Sequence, residues 1–443
     1  MPMDFLDLDG WETRTTTKHR RAYRIQASPI AQRDACPVCK TPNPYYFGIR
    51  QRLCRDLPKF DRAVTIEVLL QRYRCRECGK TFVQEMPGIL EDRKATARLA
   101  THIQELAARL TFAEVGRLVR LDPKTVRTIF TKALEQRLAA IIPAPLRVLG
   151  IDEAMLAGEL RATLCNIQEG TIIDILPTRR WQSVFHAIHA LPFKAQIEVV
   201  TIDMWAPYLQ AVRGALRDVP VVVDKFHVVR MADEALDRLR VDLARSCKHV
   251  GDAKRLRKAN RIFRRHSHQI GNFTRLRMDA LLQNWPVLAD AYAAKEDFYD
   301  IYDARDRKDA EARYDLWRAS LSPSLQRVFA KLLTATKNWR ECMFAYFDFP
   351  HTNATTEALN GLIKRLNRNG VGYDFEIIKA KALLTHGVRK IVNLHTDYGW
   401  NRDLMGFATE PEVVELDFGA DIAALNELVI HGFFDPVSTN RSR

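Results

Sequence analysis

No stretch of the 443-residue chain is apolar over the ~20 consecutive residues that span a bilayer, which argues against a helical membrane protein. The N-terminus, MPMDFLDLDGWETRT, lacks a basic segment followed by an apolar one, so it does not read as a secretory signal. A cytoplasmic protein is expected. There is no internal repeat and no low-complexity tract, which argues against solenoids and low-complexity arrays. Cysteine is sparse, with eight in the whole chain. Four of them fall in two Cys-x-x-Cys pairs, a pattern that in an intracellular protein points to metal rather than disulfides. Acid is in deficit: 54 Asp and Glu stand against 68 Lys and Arg, a net charge of +14. Such an excess favours a polyanionic partner, most commonly nucleic acid. The length exceeds one ordinary core, so several domains are expected.

What is present begins with the cysteine pairs. Cys36 and Cys39 stand in CPVCK, and Cys75 and Cys78 in RYRCRECGKTF. Two thiolate pairs at this local spacing can close a tetrahedral zinc site. The intervening AVTIEVLLQRYRC alternates like a strand leading into the second knuckle. The spacing predicts a zinc ribbon with an insertion over 1–90, preceded by a basic arm, RTTTKHRRAYR. Cys54 is a substitute ligand without a partner at the right spacing.

Residues 91–142 read as a helix-turn-helix domain. A helix over 94–110 is followed by a short one over 112–119 and by another opening at Asp122-Pro123. Aspartate is a good cap, and proline is tolerated at the first helical position. Val115, Leu118, Val126 and Ile129 are expected to pack the pair together. Lys124, Thr125, Arg127 and Thr128 then head the helix that would reach base edges.

After the proline-marked linker IIPAPL the texture changes. RVLGID, LRATLCNIQ and TIIDILP read as three strands. They are followed by helix, strand (IEVVTID), helix and strand (VPVVVDKFH). That order predicts a ribonuclease-H-like sheet over 147–235. Residues 236–348 read as a helical insertion. Within 236–280 there are 13 Lys or Arg against four acids, and Arg264 and Arg265 lie in its densest part. The sheet domain is expected to resume over 349–396, leaving 397–443 as an acidic tail without a functional reading. The expected class is therefore multidomain α/β.

Asp152 and Asp203 each close an apolar strand, and Asp224 closes a third the same way. In the ribonuclease-H order the first two strands are neighbours, so both acids reach one cleft. HTNATTEALNGLIKRLNRNG, residues 351–370, reads as a helix with an apolar stripe. On another side Glu357 shares a face with Asn360, Lys364 and Arg368. Two aspartates and a glutamate suit hard divalent cations, and a pair of such ions can serve both oxygens of a displacement. Lys364 and Arg368 would hold the DNA backbone beside them. The neighbouring acids Glu153 and Glu376 are expected to be dispensable. Trp205 is expected in a core or interface rather than against a base, and His227 is as readily structural as functional.

With these segments in hand, the chain resembles transposases of the ISL3 insertion-sequence family from about residue 30 to 395. The likeness rests on CPVC…RYRCRECGKTF, TFAEVGRLVRLDPKTV, GIDE, TIDMWAPY, VVVDKFHVV and TNATTEALNGLIKRLNRNGVGY. It implies a DDE recombinase with Asp152, Asp203 and Glu357 as ligands of Mg²⁺ or Mn²⁺, a structural zinc on the four cysteines, and a helical insertion within the catalytic fold. Its partners would be double-stranded DNA, both the terminal inverted repeats and the target. A homodimer is expected on paired ends. Water would cut at the element ends, and the 3′-hydroxyl would join target DNA by transesterification. Two other readings compete: a catalytically silent DNA-binding regulator derived from such an enzyme, and a nuclease of the same fold without strand transfer.

Overall fold

A computed structural model of the chain describes residues 5–31, 35–90, 94–139, 141, 144–264 and 271–387. Arg265 and the tail over 397–443 lie outside the described residues. The chain divides into two compact units, one comprising 1–142 with 366–385, the other running from 143 to 365.

The first unit opens on a sheet. Its strands are β1 (Trp11–Lys18), β2 (Ala22–Pro29), β3 (Tyr45–Lys59), β4 (Arg62–Arg74), β5 (Thr81–Val83), β6 (Ile89–Leu90) and β7 (Ala95–Thr96), in the order β1-β2-β4-β3-β7-β6 with β5 on β4. The segment 14–24, read as an arm, is instead strand, turn and strand. Tyr23, Ile25 and Ala27 alternate inward on β2 and pair in register beside Val64, Ile66 and Val68 of β4. That burial outweighs the basic composition. β3 and β4 form a long hairpin that turns at Phe60 and Asp61, both at positive φ (48° and 58°). Two successive positive φ values match the right-handed twist of the flanking strands.

Four helices follow: α1 (Ala97–Arg109), α2 (Phe112–Val119), α3 (Pro123–Lys132) and α4 (Leu134–Ala139). Each of the first three has a side-chain cap. Thr96 caps α1, Thr111 and Glu114 form a reciprocal capping box on α2, and Asp122 caps α3 with Pro123 at its first position. Val115, Val126 and Ile129 are buried between helices as expected, but Leu118 is 55% exposed. The buried face of α2 is Phe112, Val115, Gly116 and Val119, an i, i+3, i+4, i+7 spacing that leaves Leu118 on the far side.

The second unit is built on a sheet of β8 (Val148–Leu156), β9 (Glu159–Asn166), β10 (Thr171–Ile175), β11 (Val199–Ile202) and β12 (Val221–Val223). Its order is β10-β9-β8-β11-β12. β8, β9 and β10 run antiparallel, while β8, β11 and β12 run parallel. α5 (Trp181–His189) and α6 (Ala206–Ala215) make the crossovers, and α7 (Lys225–Ser246) leaves β12. Val148 to Asp152 are buried without alternation, as a central strand covered on both faces requires. The helical stretch continues through α8 (Val250–Lys258), α9 (Asn260–Phe263), α10 (Asn272–Asn284), α11 (Pro286–Tyr299), α12 (Arg307–Ser320), α13 (Pro323–Val328) and α14 (Ala330–Asp348). One continuous core joins these helices to the sheet.

The last two helices are α15 (Ala354–Asn369) and α16 (Phe375–His386). Through Ile377, Ala380 and Leu384, α16 packs with α1, α2 and α3. The segment 366–385 therefore groups with the N-terminal residues, not with the sheet that 349–396 was expected to complete. Lys381 is buried there among Phe112, Phe130 and Tyr373 and donates to the carbonyls of Ala107 and Leu110. It thereby satisfies the otherwise unpaired C-terminal end of α1.

Candidate active site and zinc centre

The four paired cysteines meet. Cys36 and Cys78 sulfurs lie 3.7 Å apart, and Cys39 and Cys75 sulfurs 3.4 Å apart. All four ligand atoms fall within 4.8 Å of one another, which suits one tetrahedral ion. Hydrogen bonds from the Thr41 side chain and backbone hold the Cys39 thiol down at about 6. Cys54 is not part of this set. It is buried in β3, where desolvation pushes its thiol up to about 12.

The carboxylates converge in the second unit. Ile151 pairs with Ile202 across β8 and β11, so Asp152 and Asp203 follow side by side. Asp203 ends its strand as expected. Asp152 does not, because β8 runs four residues further, paired with β9 through Leu156. Its side chain is recessed, with the residue 8% exposed. Asp224 follows β12 and caps α7, accepting from the Phe226 N–H.

Two asparagines tie these acids to α15. Asn353, fully buried, donates to the Ile151 carbonyl (3.1 Å) and to Asp203 (3.4 Å), and accepts from Thr201 (3.1 Å). Asn360 donates to Asp152 at 2.7 Å, and its own carbonyl oxygen is buried without a partner among the described residues. Neither contact was foreseen. Asn360 had been placed on the Glu357 face, and its spacing there was the available signal. Asn353 sits where a helix cap is ordinarily expected, so nothing in the sequence marked it as a brace.

Charge crowding follows from this geometry. Burial and the neighbouring Asp152 raise the Asp203 carboxyl to about 7. Glu357 is exposed at the rim, yet partial burial of its carboxyl, together with Asp224 and Asp152, raises it too. His227 lies 3.2 Å from Asp203 and 3.5 Å from Asp224. The Asp224 carboxylate beside it, with Asp203 also close, lifts the imidazole to about 9. Asp203, Asp224 and His227 place one ligand atom each within 4.8 Å of the others. Carboxylates crowded in this way, with Asp203 and Glu357 both holding protons more tightly than usual, form a donor set suited to a divalent cation.

The remaining sequence candidates scatter. Lys364 and Arg368 are exposed on α15. Lys124, Thr125 and Thr128 are exposed on α3, but the Arg127 guanidinium is paired with Asp374. Arg264 is half-exposed and 3.6 Å from Asp237. Glu153, expected to be dispensable, binds Arg179 at 2.7 Å. Trp205, expected in a core or interface, is 38% exposed. No described helix is long and apolar enough to cross a membrane.

Comparison with known proteins matches this architecture. A family profile described as transposase, of the ISL3 DDE type, matches residues 149–382. A second, described as the zinc finger of the transposases IS204, IS1001, IS1096 and IS1165, matches residues 32–78. Over 378 residues the chain is 24% identical to the transposase for insertion sequence element IS1001 of Bordetella parapertussis, covering 83% of this chain and 93% of that protein.

Proposed function

Because the chain belongs to the ISL3 family of DDE transposases, we propose that it cuts DNA at the ends of an insertion sequence and joins them to target DNA at one site formed by Asp152, Asp203 and Glu357. The observation that carries this reading is the bracing of two adjacent carboxylates by Asn360 of the helix that bears the glutamate and by Asn353 immediately before it. The antiparallel-then-parallel sheet order supports a ribonuclease-H-like core.

Asp152, Asp203 and Glu357 would hold Mg²⁺ or Mn²⁺, with Asp224 and His227 beside them. Such an ion supplies charge neutralisation at the scissile phosphate and acidifies a water. The chain's own groups do the rest. Asn360 and Asn353 fix which oxygens of Asp152 and Asp203 face the cleft. The cationic His227 offsets carboxylate repulsion and offers a donor to a phosphate oxygen. Lys364 and Arg368 anchor the backbone along α15. Water displaces the 3′ oxygen of one strand, leaving a 3′-hydroxyl that later attacks a target phosphodiester. No serine or tyrosine nucleophile is required.

End recognition falls to the first unit. Zinc on the four cysteines would set the ribbon, and α2 with α3 would act as a helix-turn-helix, presenting Lys124, Thr125 and Thr128 to the major groove. A homodimer would bring two ends together.

Incubation with labelled element ends, a target plasmid and Mg²⁺ or Mn²⁺ tests the reading. Cut and joined products are expected. Cleavage without joining would make the protein a nuclease, and binding without cleavage a regulator.

A further inference from the structure

Trp205 lies two residues after Asp203. Its indole is 38% exposed, yet it is not loose. The Trp205 N–H donates to the Asp203 carbonyl at 2.6 Å, and the Trp205 carbonyl accepts from Tyr208 at 2.9 Å, so its backbone is fixed at the head of α6. The Arg179 guanidinium lies 4.5 Å from the ring centroid, and Glu153 holds that guanidinium at 2.7 Å. Glu153 in turn follows Asp152. The ring is thus tied to the backbone beside both strand carboxylates. Phe226 repeats the placement two residues after Asp224, 56% exposed and edge-on to His227.

A rigid, exposed indole fixed to a recessed carboxylate pair has a specific use on DNA. Asp152 is 8% exposed and Asp203 is part-buried, so a phosphodiester must enter the cleft to reach them. In duplex DNA the bases on either side of that phosphate are stacked and paired. Drawing the strand inward unstacks one of them, at a cost that a protein ring can offset by stacking on the freed base. Any base offers a π-face, so the contact tolerates sequence, and the Arg179 cation on the ring adds attraction for a base beside it.

We propose that Trp205, held by Arg179 and Glu153, is a positioning platform for an unpaired base next to the scissile phosphate. This rests on the function proposed above for the same site. The platform lowers the cost of strand entry. Its removal should therefore hurt substrates whose flanking base is paired and spare those in which it is already unpaired.

The test compares wild type, Trp205→Ala and Trp205→Phe on labelled element ends in Mn²⁺. One set of ends is fully paired, and the other has the base pairs flanking the cut replaced by mismatches. Trp205→Ala is expected to cut paired ends roughly 5- to 100-fold more slowly. On mismatched ends it should come within about threefold of wild type, while Trp205→Phe retains most activity on both. End binding in Ca²⁺, measured by anisotropy, should be unchanged and shows that the variants are folded. An equal loss on both substrates makes Trp205 a structural residue and overturns the proposal, as does no loss on either. If wild type cuts neither substrate, the function itself falls and this inference falls with it.

Discussion

A methyl group at Gly150 would lie 2.2 Å from the Thr356 hydroxyl oxygen. Thr356 is fully buried and precedes Glu357, so this close approach sets how far α15 descends onto β8. Gly150 is two residues from Asp152. The missing side chain at one position thus helps set how the helix bearing Glu357 lies against the strand bearing Asp152. Gly150→Ala must displace α15 or bend β8, because the overlap is with the root of a short buried side chain. It is expected to cost roughly 1–3 kcal/mol of stability by overpacking. Cleavage should fall further than the lost folded fraction explains. Urea unfolding together with single-turnover cleavage separates the two effects, and a stable variant with normal cleavage would remove the geometric argument.

Asp152→Asn, Asp203→Asn and Glu357→Gln keep shape and remove the anionic oxygen. Each is expected to remain folded, bind element ends and fail at both cleavage and joining. Double variants should lose no more than single ones, since a site short of one ligand is already disabled. Glu376, which lies in α16 of the first unit, is the sound control. Glu153 is not, because its carboxylate holds Arg179. Normal cleavage by Glu357→Gln would move the third ligand to another acid, with Asp224 the first to examine.

Much of this site was legible because its acids interrupt apolar runs. Asp203 follows a strand whose residues are buried, and a structural role for such a charge is hard to supply, whereas Asp224 in the same setting also caps α7. The helix bearing Glu357 was legible from its 3.6-residue stripe. What the sequence hid was anything set by contact between distant segments. Asn353 reads locally as a cap, and only the folded sheet places it under Ile151 and Asp203. Trp205 reads as core or interface because tryptophan usually is one or the other, and which of the two depends on where α6 starts. Arg127 reads as a free base-contacting residue until α16 brings Asp374 beside it. Leu118 misleads for a simpler reason: the i, i+3, i+4, i+7 face of α2 excludes it.

The zinc centre leads to a metal measurement. Freshly purified protein should carry about one zinc per chain, and Cys36→Ser or Cys78→Ser should lose it. A chelator strong enough to remove the ion should reduce end binding while leaving the second unit folded, because none of the four ligands belongs to that unit. Absence of zinc by elemental analysis would leave the four sulfurs as reduced structural thiols.

Arg127 and Asp374 give a test of whether α3 reads DNA. Their ion pair is partly exposed, so it should contribute only about 0–1 kcal/mol to stability. Asp374 also caps α16 by accepting from the Ile377 N–H at 2.9 Å. Asp374→Asn keeps an acceptor for that bond while freeing the guanidinium, and should strengthen DNA binding. If the freed arginine reaches a base, Arg127→Ala will weaken binding to element ends more than to random DNA, by roughly 1–3 kcal/mol. Equal weakening on both would make Arg127 a phosphate contact.

The raised acid at Asp203 makes stability depend on pH in a direction opposite to that of most carboxylates. Its folded value of about 7 lies above the ordinary 3.8, first through burial and then through the charge of Asp152. The folded state therefore binds the proton more tightly than the unfolded chain does. The stabilisation this gives is complete below about pH 4 and is lost as pH rises through 7. In metal-free protein, Asp203→Asn lacks the charge and escapes that loss. The variant should thus be more stable than wild type at pH 8, by roughly 2–4 kcal/mol, and the gap should narrow steadily towards pH 5.5. His227, raised to about 9 by Asp224 and Asp203, works partly against this trend. Its charge stabilises the wild-type carboxylates, and that help is lost as pH rises from the ordinary 6.5 of an imidazole to about 9, so the gap should level off above pH 9. Saturating Mn²⁺ should reverse the order at pH 8, because the ion replaces the proton on Asp203 and has no equivalent oxygen in the asparagine variant. Thermal unfolding in EDTA and in Mn²⁺, at several pH values, reads all of these signs. A wild type more stable than Asp203→Asn in EDTA at pH 8 would show that the carboxylate crowding is already relieved within the protein, and a metal would no longer be needed to balance it.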